Sequence, residues 1–247
     1  MRREERTRIL EDGPSGYNRP DHDCEQITYR IENAATGYIL TKSRHLSQPA
    51  AESPMSERQL LNKQSLGIQP GLPLRASDGD IEGLRADIQH LMDLEAIKQL
   101  KYAYFRCVDT CNLEELAGLL HEDVAVHFRG GTYEWKFQGR DEYVRNIGMS
   151  FSREAVGQHN AHHPEIQLLS DTEATALWYL ADNMWILNHN MKTYGTALYW
   201  DRYLKVDGNW LIRETNYERV YEINETLDGR PKLSSHYLGA HGPEPQF

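Results

Sequence analysis

The sequence predicts an α+β fold in which one long helix and two short helices pack on a mainly antiparallel sheet. Apolar residues recur at three- and four-residue steps between positions 81 and 108, which is typical of a helix. Alternating apolar and polar residues dominate from about 124 to 222, which is typical of strands. All five tryptophans lie at or after Trp135, whereas six of the ten prolines lie in residues 1–80, so the packed core is expected in the last two-thirds of the chain. A long helix in the concave face of a curved sheet would enclose a pocket.

Three regions follow from this distribution. Residues 1–78 are predicted to be a polar arm, either disordered or extended over a neighbouring molecule, although 26–30 and 37–40 are compatible with short strands. Residues 79–224 are predicted to form the pocket domain. The tail, residues 225–247, is rich in Gly and Pro and would close the pocket mouth, exchange with a neighbour or stay loose.

The helices are predicted from capping residues and apolar spacing. Ser77 and Asp80 have the spacing of a capping box ahead of the long helix. Asn112 precedes a short helix at 113–120, and Gly139 precedes another that ends near Phe151. The apolar positions of the long helix are Ile81, Leu84, Ile88, Leu91, Ile97, Leu100, Tyr104 and Val108.

The strands are predicted from two-residue alternation and from turn residues. Alternation marks 124–128 and 133–137, separated by a Gly-Gly turn. Asp207-Gly208 is a strong hairpin signal between the last two strands. The four longer strands are predicted at 158–169, 173–188, 191–205 and 209–222.

Composition excludes several classes of protein. The formal charge of −10 argues against a protein that reads a nucleic-acid backbone, which needs a basic face. Three cysteines do not form a disulfide framework, and Cys107 and Cys111 are interpreted as small buried residues rather than a redox or metal pair. No apolar run is long enough to span a membrane and the first residues lack an apolar signal core, so a soluble cytoplasmic protein is expected.

Asp182 interrupts an otherwise apolar strand face that runs from Ala174 to Ile186. A buried carboxylate costs several kcal/mol unless it is paired or hydrogen-bonded. Two interpretations remain open, a structural aspartate held by amides or an arginine, and a carboxylate in a ligand pocket.

Three histidines, His159, His162 and His163, lie within five residues at the start of a predicted strand. Imidazole serves as a metal ligand or as a general base, and at least one of the three is expected to be an ordinary surface residue. The spacing lacks a metal-binding signature, so no metal site is predicted. Strand alternation places His159 and His163 on one face and His162 on the other.

Asp109 lies at the end of the long helix, at the edge of its apolar stripe. The helix macrodipole opposes a carboxylate there, so a compensating partner is expected. A histidine bound to Asp109 would be such a partner and would become a better base. Alternatively, Asp109 only caps the following turn.

The last strand carries Arg213, Tyr217 and Arg219. An arginine that faces the pocket would pair with Asp182 or hold a substrate carbonyl or carboxylate, whereas one that faces outward would be solvated. The tryptophans of the strands, among them Trp178, suit either a ring-shaped ligand or an ordinary core.

The order of several modest motifs resembles the SnoaL-like group of the nuclear-transport-factor-2-like superfamily. The resemblance spans about 80–222, and its members nearest to this chain are bile-acid dehydratase-like proteins, with scytalone dehydratase more distant. The motifs are LEAIKQLK at 94–101, Tyr104, Val108-Asp109, NLEEL at 112–116, FQGRD at 137–141, His159, HPEI at 163–166, Trp178, Asp182, DGNW at 207–210 and YER at 217–219.

This resemblance implies a cone-shaped, curved antiparallel sheet wrapped on the long N-terminal helix. It further implies a lyase of the dehydratase type that works without metal or organic cofactor on a small, mostly apolar ring-containing, polyketide-like or steroid-like substrate. The implied catalytic residues are Tyr104, Asp109, His159, Asp182 and Arg219, and we expect substrate contacts from His162, Trp178 and Tyr217. Relatives suggest a homodimer or homotrimer, with no nucleic-acid or membrane partner.

Other functions use the same residues or none of them. An isomerase or a cyclase would share the first proton abstraction with a dehydratase. A non-catalytic ligand-binding module, or an accessory small subunit of a ring-hydroxylating dioxygenase, would have the same fold without the reaction.

Overall fold

The computed structural model describes residues 26–34, 37–45, 61–75 and 80–245. The chain divides into two units, Met1–Ser56 and Glu57–Phe247. The first contains an antiparallel hairpin formed by β1 (Gln26–Ala34) and β2 (Gly37–His45), which includes both short segments whose sequence is compatible with strands. The rest of the predicted arm before residue 61, with Cys24, lies outside the described residues.

The second unit is built on a six-stranded sheet with the order β4-β3-β8-β7-β6-β5. Neighbouring strands are antiparallel except β3 and β8, which run parallel. Together with the helices, this curved sheet confirms the predicted α+β class. The strands are β3 (Leu120–Arg129), β4 (Glu134–Gln138), β5 (Ala155–Leu168), β6 (Glu173–Ile186), β7 (Met191–Val206) and β8 (Asn209–Thr226).

The first two helices begin at residues named in the predicted caps, although Asp80 is itself the N-cap of α1 and Ser77 lies outside the described residues. The Asp80 carboxylate accepts the Gly83 N–H at the start of α1, and the Asn112 side chain accepts the Glu115 N–H at the start of α2. The second helix ends two residues earlier than predicted because β3 already begins at Leu120. The helices are α1 (Ile81–Asp109), α2 (Leu113–Gly118), α3 (Arg140–Ser150) and α4 (Tyr237–His241).

The two halves of α1 bury different sides of the helix, the apolar side in the second half and the polar side in the first. From Ile97 onward the predicted apolar positions, Ile97, Leu100, Tyr104 and Val108, are buried. Before Ile97 the polar side is buried instead, because Asp87 accepts the Arg75 N–H at 2.5 Å and Asp93 accepts the Trp210 indole N–H at 2.9 Å. The apolar residues Ile81, Leu84, Ile88 and Leu91 are 49–68% exposed. The predicted apolar stripe therefore belongs to the domain core only in its second half.

A bulge in β5 interrupts the regular alternation on which the prediction for its histidines depends. The register with β6 shifts between His162 and Glu165, and His163 has a φ of 48°, in the left-handed region. The extra residue breaks the alternation, and both His162 and His163 are exposed. The prediction that His163 shares the face of His159 stays a prediction, and His163 is the more exposed of the two.

Two peripheral segments pack beside β5. Residues 61–75, assigned to the arm by sequence, run along its end, where Leu72 N–H donates to the Leu168 carbonyl at 2.8 Å. The tail returns to its beginning, where Leu238 of α4 is buried and the Arg153 N–H donates to the Pro243 carbonyl at 3.0 Å. The tail of this chain thus packs on its own domain. The domain limits at 78 and 224 stay predictions.

Among the described residues, no helix is both long enough and apolar enough to cross a membrane.

Candidate active site

The centre of the candidate site is a contact between the end of α1 and β5. Asp109, the last residue of the helix, accepts the main-chain N–H of His159 at 2.9 Å through Oδ2. Its other oxygen lies 2.6 Å from His159 Nδ1. A carboxylate opposite Nδ1 places the ring proton on that nitrogen and leaves the lone pair on Nε2. The two N–H groups also supply the compensation that a carboxylate at a helix C-terminus requires.

Gly157 allows this contact because it has no side chain. A Cβ at this position would lie 2.8 Å from Asp109 Oδ1, 2.8 Å from a ring carbon of Phe151 and 3.2 Å from the sulfur of Met184. A larger residue would require at least one of these three side chains to move.

Aromatic rings hold the imidazole in place. Phe105 stacks on it with the ring centres 5.8 Å apart and the planes inclined by 17°, and Phe151 approaches at 5.9 Å. The His159 side chain is 12% exposed and that of Asp109 is 23% exposed. The dyad is thus fixed by packing but retains an opening to solvent.

Asp182 on β6 is the cross-strand partner of His159. Residues that face each other across an antiparallel pair point to the same side of the sheet, with Cβ atoms about 5 Å apart. Asp182 is 3% exposed, so its burial agrees with the sequence pattern. Both of its oxygens bind Arg219, Nη1 at 2.5 Å and Nη2 at 2.8 Å. These charge-assisted hydrogen bonds offset the desolvation free energy of the buried carboxylate.

Arg219 reaches Asp182 by crossing over β7, because β7 carries small residues at the crossing point. Its register partner there is Ala197, and the partner of Asp182 is Gly195. Burial lowers the pKa of the guanidinium, but the bond to Asp182 and the charges around it outweigh this and raise that pKa far above its usual value, so Arg219 stays charged.

A second carboxylate, Glu222, lies 3.0 Å from Arg219 Nε. This contact has the distance of an ion pair without the angle of a hydrogen bond, so we treat it as electrostatic. The Nε–H donates instead to the Tyr133 hydroxyl at 3.4 Å. The Arg219 guanidinium therefore lies within ion-pair distance of two carboxylates, Asp182 and Glu222.

Tyr104 is buried on the same helix as Asp109, and its hydroxyl lies 2.5 Å from that of Tyr143. Burial raises the pKa of the Tyr104 phenol well above 10. The phenol is consequently protonated at neutral pH and available only as a hydrogen-bond donor or acceptor, not as a base.

A buried ion pair lies beneath these residues. Lys101 and Asp201 have fully buried side chains, and Nζ is 2.8 Å from Oδ2. The same oxygen accepts the Tyr203 hydroxyl at 2.6 Å, whereas Oδ1 has no hydrogen-bond partner among the described residues. The Lys101 ammonium group also lies 4.0 Å from the ring centre of Tyr199. Burial lowers the pKa of Lys101 despite the opposing effect of Asp201.

The residues expected to contact substrate occupy different environments. His162 is exposed beside the β5 bulge, away from the dyad face. Trp178 is fully buried and donates its indole N–H to Tyr203 at 3.0 Å, which is the environment of a core residue. Tyr217 is buried, stacks on Phe128 at 4.3 Å and bonds to the Tyr133 hydroxyl at 2.5 Å. Only Tyr217 lies next to Arg219.

Two grooves lie away from the dyad. One of about 150 Å³ lies between α3, the start of β5 and the tail, and one of about 470 Å³ lies at the start of α1. Neither groove is lined by His159 or Asp109. The candidate active site is therefore identified by the hydrogen-bonded His159–Asp109 pair and not by a groove. Within the described residues, no group of three or more His, Cys, Asp or Glu side chains is placed to bind a metal ion. Cys107 and Cys111 are free thiols.

Sequence reasoning missed the supporting residues Gly157, Tyr143, Glu222, Lys101 and Asp201. The signal for Asp201 was present, because it interrupts a buried row on β7 as Asp182 does on β6. Lys101 falls four residues from both Ile97 and Phe105 and thus on the buried side of α1. Nothing in the sequence pointed to Gly157, whose role depends on a contact between distant elements.

Comparison with known proteins places this arrangement in a family. The model of the SnoaL-like domain matches residues 89–216, more than half of the chain. A putative scytalone dehydratase from Novosphingobium aromaticivorans is similar in structure, with a TM-score of 0.50 and 21% identity over 60% of this chain and 97% of that one.

Two dehydrochlorinases are also similar in structure. A type 2 hexachlorocyclohexane dehydrochlorinase has a TM-score of 0.53 and 15% identity over 60% of this chain and 99% of its own. A type 3 enzyme from Novosphingobium barchaimii has a TM-score of 0.52 and 16% identity over 60% and 99%. At these identities the likeness concerns the fold, and together with the family match it settles the classification. The chain belongs to the SnoaL-like family.

Proposed function

We propose that this protein is a lyase of the dehydratase type or an isomerase, and that its reaction begins when His159 removes a proton from carbon. The observation that carries the proposal is that Asp109 binds His159 through two hydrogen bonds, one to Nδ1 at 2.6 Å and one to the main-chain N–H at 2.9 Å. A base whose tautomer and ring orientation are fixed in this way is prepared for proton transfer at Nε2.

The proposed first step takes place next to a carbonyl group. His159 Nε2 accepts the proton, the C–H electron pair moves into the carbonyl to form an enolate, and Asp109 stabilises the resulting imidazolium. In a dehydration the enolate then reforms the carbonyl, a β-hydroxyl group takes the proton from the His159 imidazolium and leaves as water, and a carbon–carbon double bond remains. In an isomerisation the proton returns to another carbon, and in a cyclisation the enolate attacks a second carbonyl.

Tyr104, on the same helix as Asp109, and Asp182, opposite His159 in the sheet, are assigned to the later steps. Tyr104 keeps its proton at neutral pH because burial raises its pKa, so it serves as a donor to the enolate or to the departing hydroxyl. Asp182 faces the same side of the sheet as His159 and is assigned to orient the leaving hydroxyl as a hydrogen-bond acceptor, because both of its oxygens bind Arg219 and it has no proton to donate. Arg219 is assigned to hold Asp182 rather than a substrate anion, because both terminal nitrogens bind that carboxylate.

The proposed substrate is a small, mostly apolar, ring-containing molecule. The rings of Phe105 and Phe151 flank the imidazole, and aromatic groups of this kind favour planar or ring-shaped ligands. Family membership and the names dehydratase and dehydrochlorinase of the similar structures support an elimination or a related reaction on such a molecule. The step uses only side chains of this chain.

The test is exchange of carbon-bound hydrogen in D₂O. A panel of cyclic ketones, with and without a β-hydroxyl group, is incubated with the protein, and NMR follows the loss of the proton signal next to the carbonyl. We expect His159→Gln and Asp109→Asn to slow exchange by about 10²–10⁴-fold, the typical contribution of a general base. The matched control is His162→Gln, an exposed histidine of the same strand, which should exchange at the wild-type rate.

The outcomes separate the candidate functions. Exchange with formation of an enone from the β-hydroxy ketones indicates a dehydratase, and exchange alone favours an isomerase. Binding of panel members without exchange, or exchange that persists in both dyad variants, contradicts the proposed mechanism. Binding alone would favour a ligand-binding module.

A further inference from the structure

A row of residues crosses the sheet at the level of the dyad, on the face that carries His159. It consists of four register partners on β5, β6, β7 and β8, namely His159, Asp182, Gly195 and Glu222. Paired residues of antiparallel strands point to the same side of a sheet. Glu222 therefore faces the same side as His159, three strands away from it.

Glu222 is a buried carboxylate with an unused oxygen. Its side chain is 5% exposed, and its Oε2 has no hydrogen-bond partner among the described residues. Its Oε1 accepts a long hydrogen bond from the Asn224 side chain at 3.4 Å. A buried carboxylate oxygen without a donor is unfavourable, because it has left water and gained no hydrogen bond in exchange. Oε2 is therefore suited to a donor that enters the site with a ligand.

Arg219 does not satisfy both carboxylates of the row. Its two terminal nitrogens bind Asp182, and its Nε–H donates to the Tyr133 hydroxyl. The 3.0 Å contact from Nε to Glu222 is left without the geometry of a hydrogen bond. Within the described part of the chain, no other lysine or arginine lies at ion-pair distance from Asp182 or Glu222. Two carboxylates beside one guanidinium leave an excess of negative charge, which favours a hydrogen-bond donor over an acceptor as the ligand group.

The two ends of the row are separated by the length of a molecule with several rings. Three strand spacings of about 4.8 Å give about 14 Å between them along the sheet, and less across its concave side. The side chains of His159 and Glu222 each cover part of this distance. Asn224, the next residue of β8 on the same face, is exposed, so this face meets solvent just beyond Glu222.

We propose that Glu222 is a substrate-binding residue, whose Oε2 accepts a hydrogen bond from a hydroxyl or ammonium group at the end of the substrate remote from the reacting carbon. This inference rests on the proposed function, because it takes His159 as the base at the other end of the row. It narrows the substrate class to ketones of two or more rings that carry a donor group on the ring farthest from the carbonyl.

The test measures binding to the full-length chain by isothermal titration calorimetry. The probes are β-tetralone, a two-ring ketone, and its three-ring homologue, each with a hydroxyl, an aminomethyl or a methoxy group on the ring farthest from the carbonyl. Wild type should bind a donor probe at least about 10-fold more tightly than the methoxy probe, which has no proton to donate. Glu222→Gln should reduce this preference to about 3-fold or less, because its amide is neutral and also donates to the methoxy oxygen.

Two further variants make the comparison specific. Glu218→Gln is the matched control, since Glu218 lies on the same strand, is 39% exposed and binds Arg129 instead of Arg219. This control should keep the wild-type preference. Glu222→Asp keeps the charge but withdraws the carboxylate, so its preference should be intermediate. Urea denaturation verifies that each variant is folded.

His159→Gln separates this inference from the proposed reaction. That variant should keep the preference for donor probes while it loses deuterium exchange of the bound ketone. Exchange by wild type without a donor preference contradicts the role of Glu222 alone, whereas a donor preference without exchange contradicts the reaction alone. The role of Glu222 is overturned if no probe binds wild type, if donor and methoxy probes bind equally, or if Glu222→Gln and Glu222→Asp both keep the full preference. The tighter of the two donor probes shows whether the ligand group is a neutral hydroxyl or a cation.

Discussion

Replacement of Gly157 by alanine should damage the site through a single methyl group. The new Cβ would lie 2.8 Å from Asp109 Oδ1, whereas ordinary van der Waals contact begins at 3.4 Å. We expect the carboxylate to yield, and reaching ordinary contact then takes a movement of about 0.6 Å. The contact from Oδ1 to His159 Nδ1 is 2.6 Å, and a movement of that size away from the ring would lengthen it to about 3.2 Å, the edge of the hydrogen-bond range.

The neighbours leave the methyl group no alternative space. Phe151 lies 2.8 Å away on another side and the sulfur of Met184 lies 3.2 Å away. Overpacking of this kind costs about 1–3 kcal/mol of folding free energy. Loss of a charge-assisted hydrogen bond is worth about 1.5–3 kcal/mol, which corresponds to a rate lower by about 10–150-fold if His159 is the base.

Two measurements test this prediction. Nitrogen-15 NMR of the imidazole should show a bonded Nδ1–H in wild type that is weakened or lost in Gly157→Ala, and urea denaturation gives the change in stability. Gly118→Ala is the control, since a Cβ there meets no atom within 4 Å and the residue ends a helix. That control should be neutral or more stable by up to about 1 kcal/mol.

The reasoning is refuted if Gly157→Ala keeps the bonded Nδ1–H and is as stable as Gly118→Ala. A loss of stability without any change at the imidazole would mean that Phe151 and Met184 yield to the methyl group, and that Gly157 does not position Asp109.

Three further predictions concern buried groups. Unfolding free energy should fall above pH 10 by about 1.4 kcal/mol per pH unit for each buried tyrosine, because burial raises the pKa of these phenols and only the unfolded chain ionises there; denaturant titrations from pH 9 upward check the slope. The tyrosines concerned are Tyr104, Tyr143, Tyr199, Tyr203 and Tyr217. Lys101→Met should lower the unfolding free energy by about 3–5 kcal/mol, because it leaves the buried Asp201 carboxylate without its counter-ion. The double variant Lys101→Met, Asp201→Asn should recover most of this loss. Equal unfolding free energies for the single and double variants would refute the pairing. Leu238→Asp should release the tail without unfolding the sheet, seen as faster hydrogen exchange at Arg153, and unchanged exchange there would contradict this.

Local patterns in the sequence were sufficient for the elements and for the buried carboxylates. Asp182 interrupts an apolar row, and its burial follows from two-residue alternation alone. The Asp207-Gly208 turn fixes the last hairpin, since both residues take positive φ values there, 49° and 81°.

Features that depend on tertiary contacts were not predictable in this way. The bulge at His163 arises within one strand but is recognised only from its pairing with β6. The apolar spacing of α1 predicted a helix correctly, yet spacing cannot say whether a stripe faces its own domain or another molecule. The pairing of Arg219 with Asp182 depends on Gly195 and Ala197 of the strand between them.

The two carboxylates of the site should respond differently to the same isosteric change. Asp109 is 23% exposed and binds a neutral or charged imidazole, so Asp109→Asn keeps an acceptor for one N–H and should cost about 1 kcal/mol of stability. Asp182 neutralises a guanidinium whose side chain is 9% exposed, so Asp182→Asn leaves a buried charge with Glu222 alone and should cost about 3–5 kcal/mol. If Asp109→Asn loses exchange activity at nearly wild-type stability, Asp109 takes part in the reaction. A loss of activity in Asp182→Asn would be explained in part by the lower stability of the fold. Equal destabilisation by the two changes would show that Glu222 already neutralises Arg219, and Asp182 would then be free to serve as an acid in the reaction.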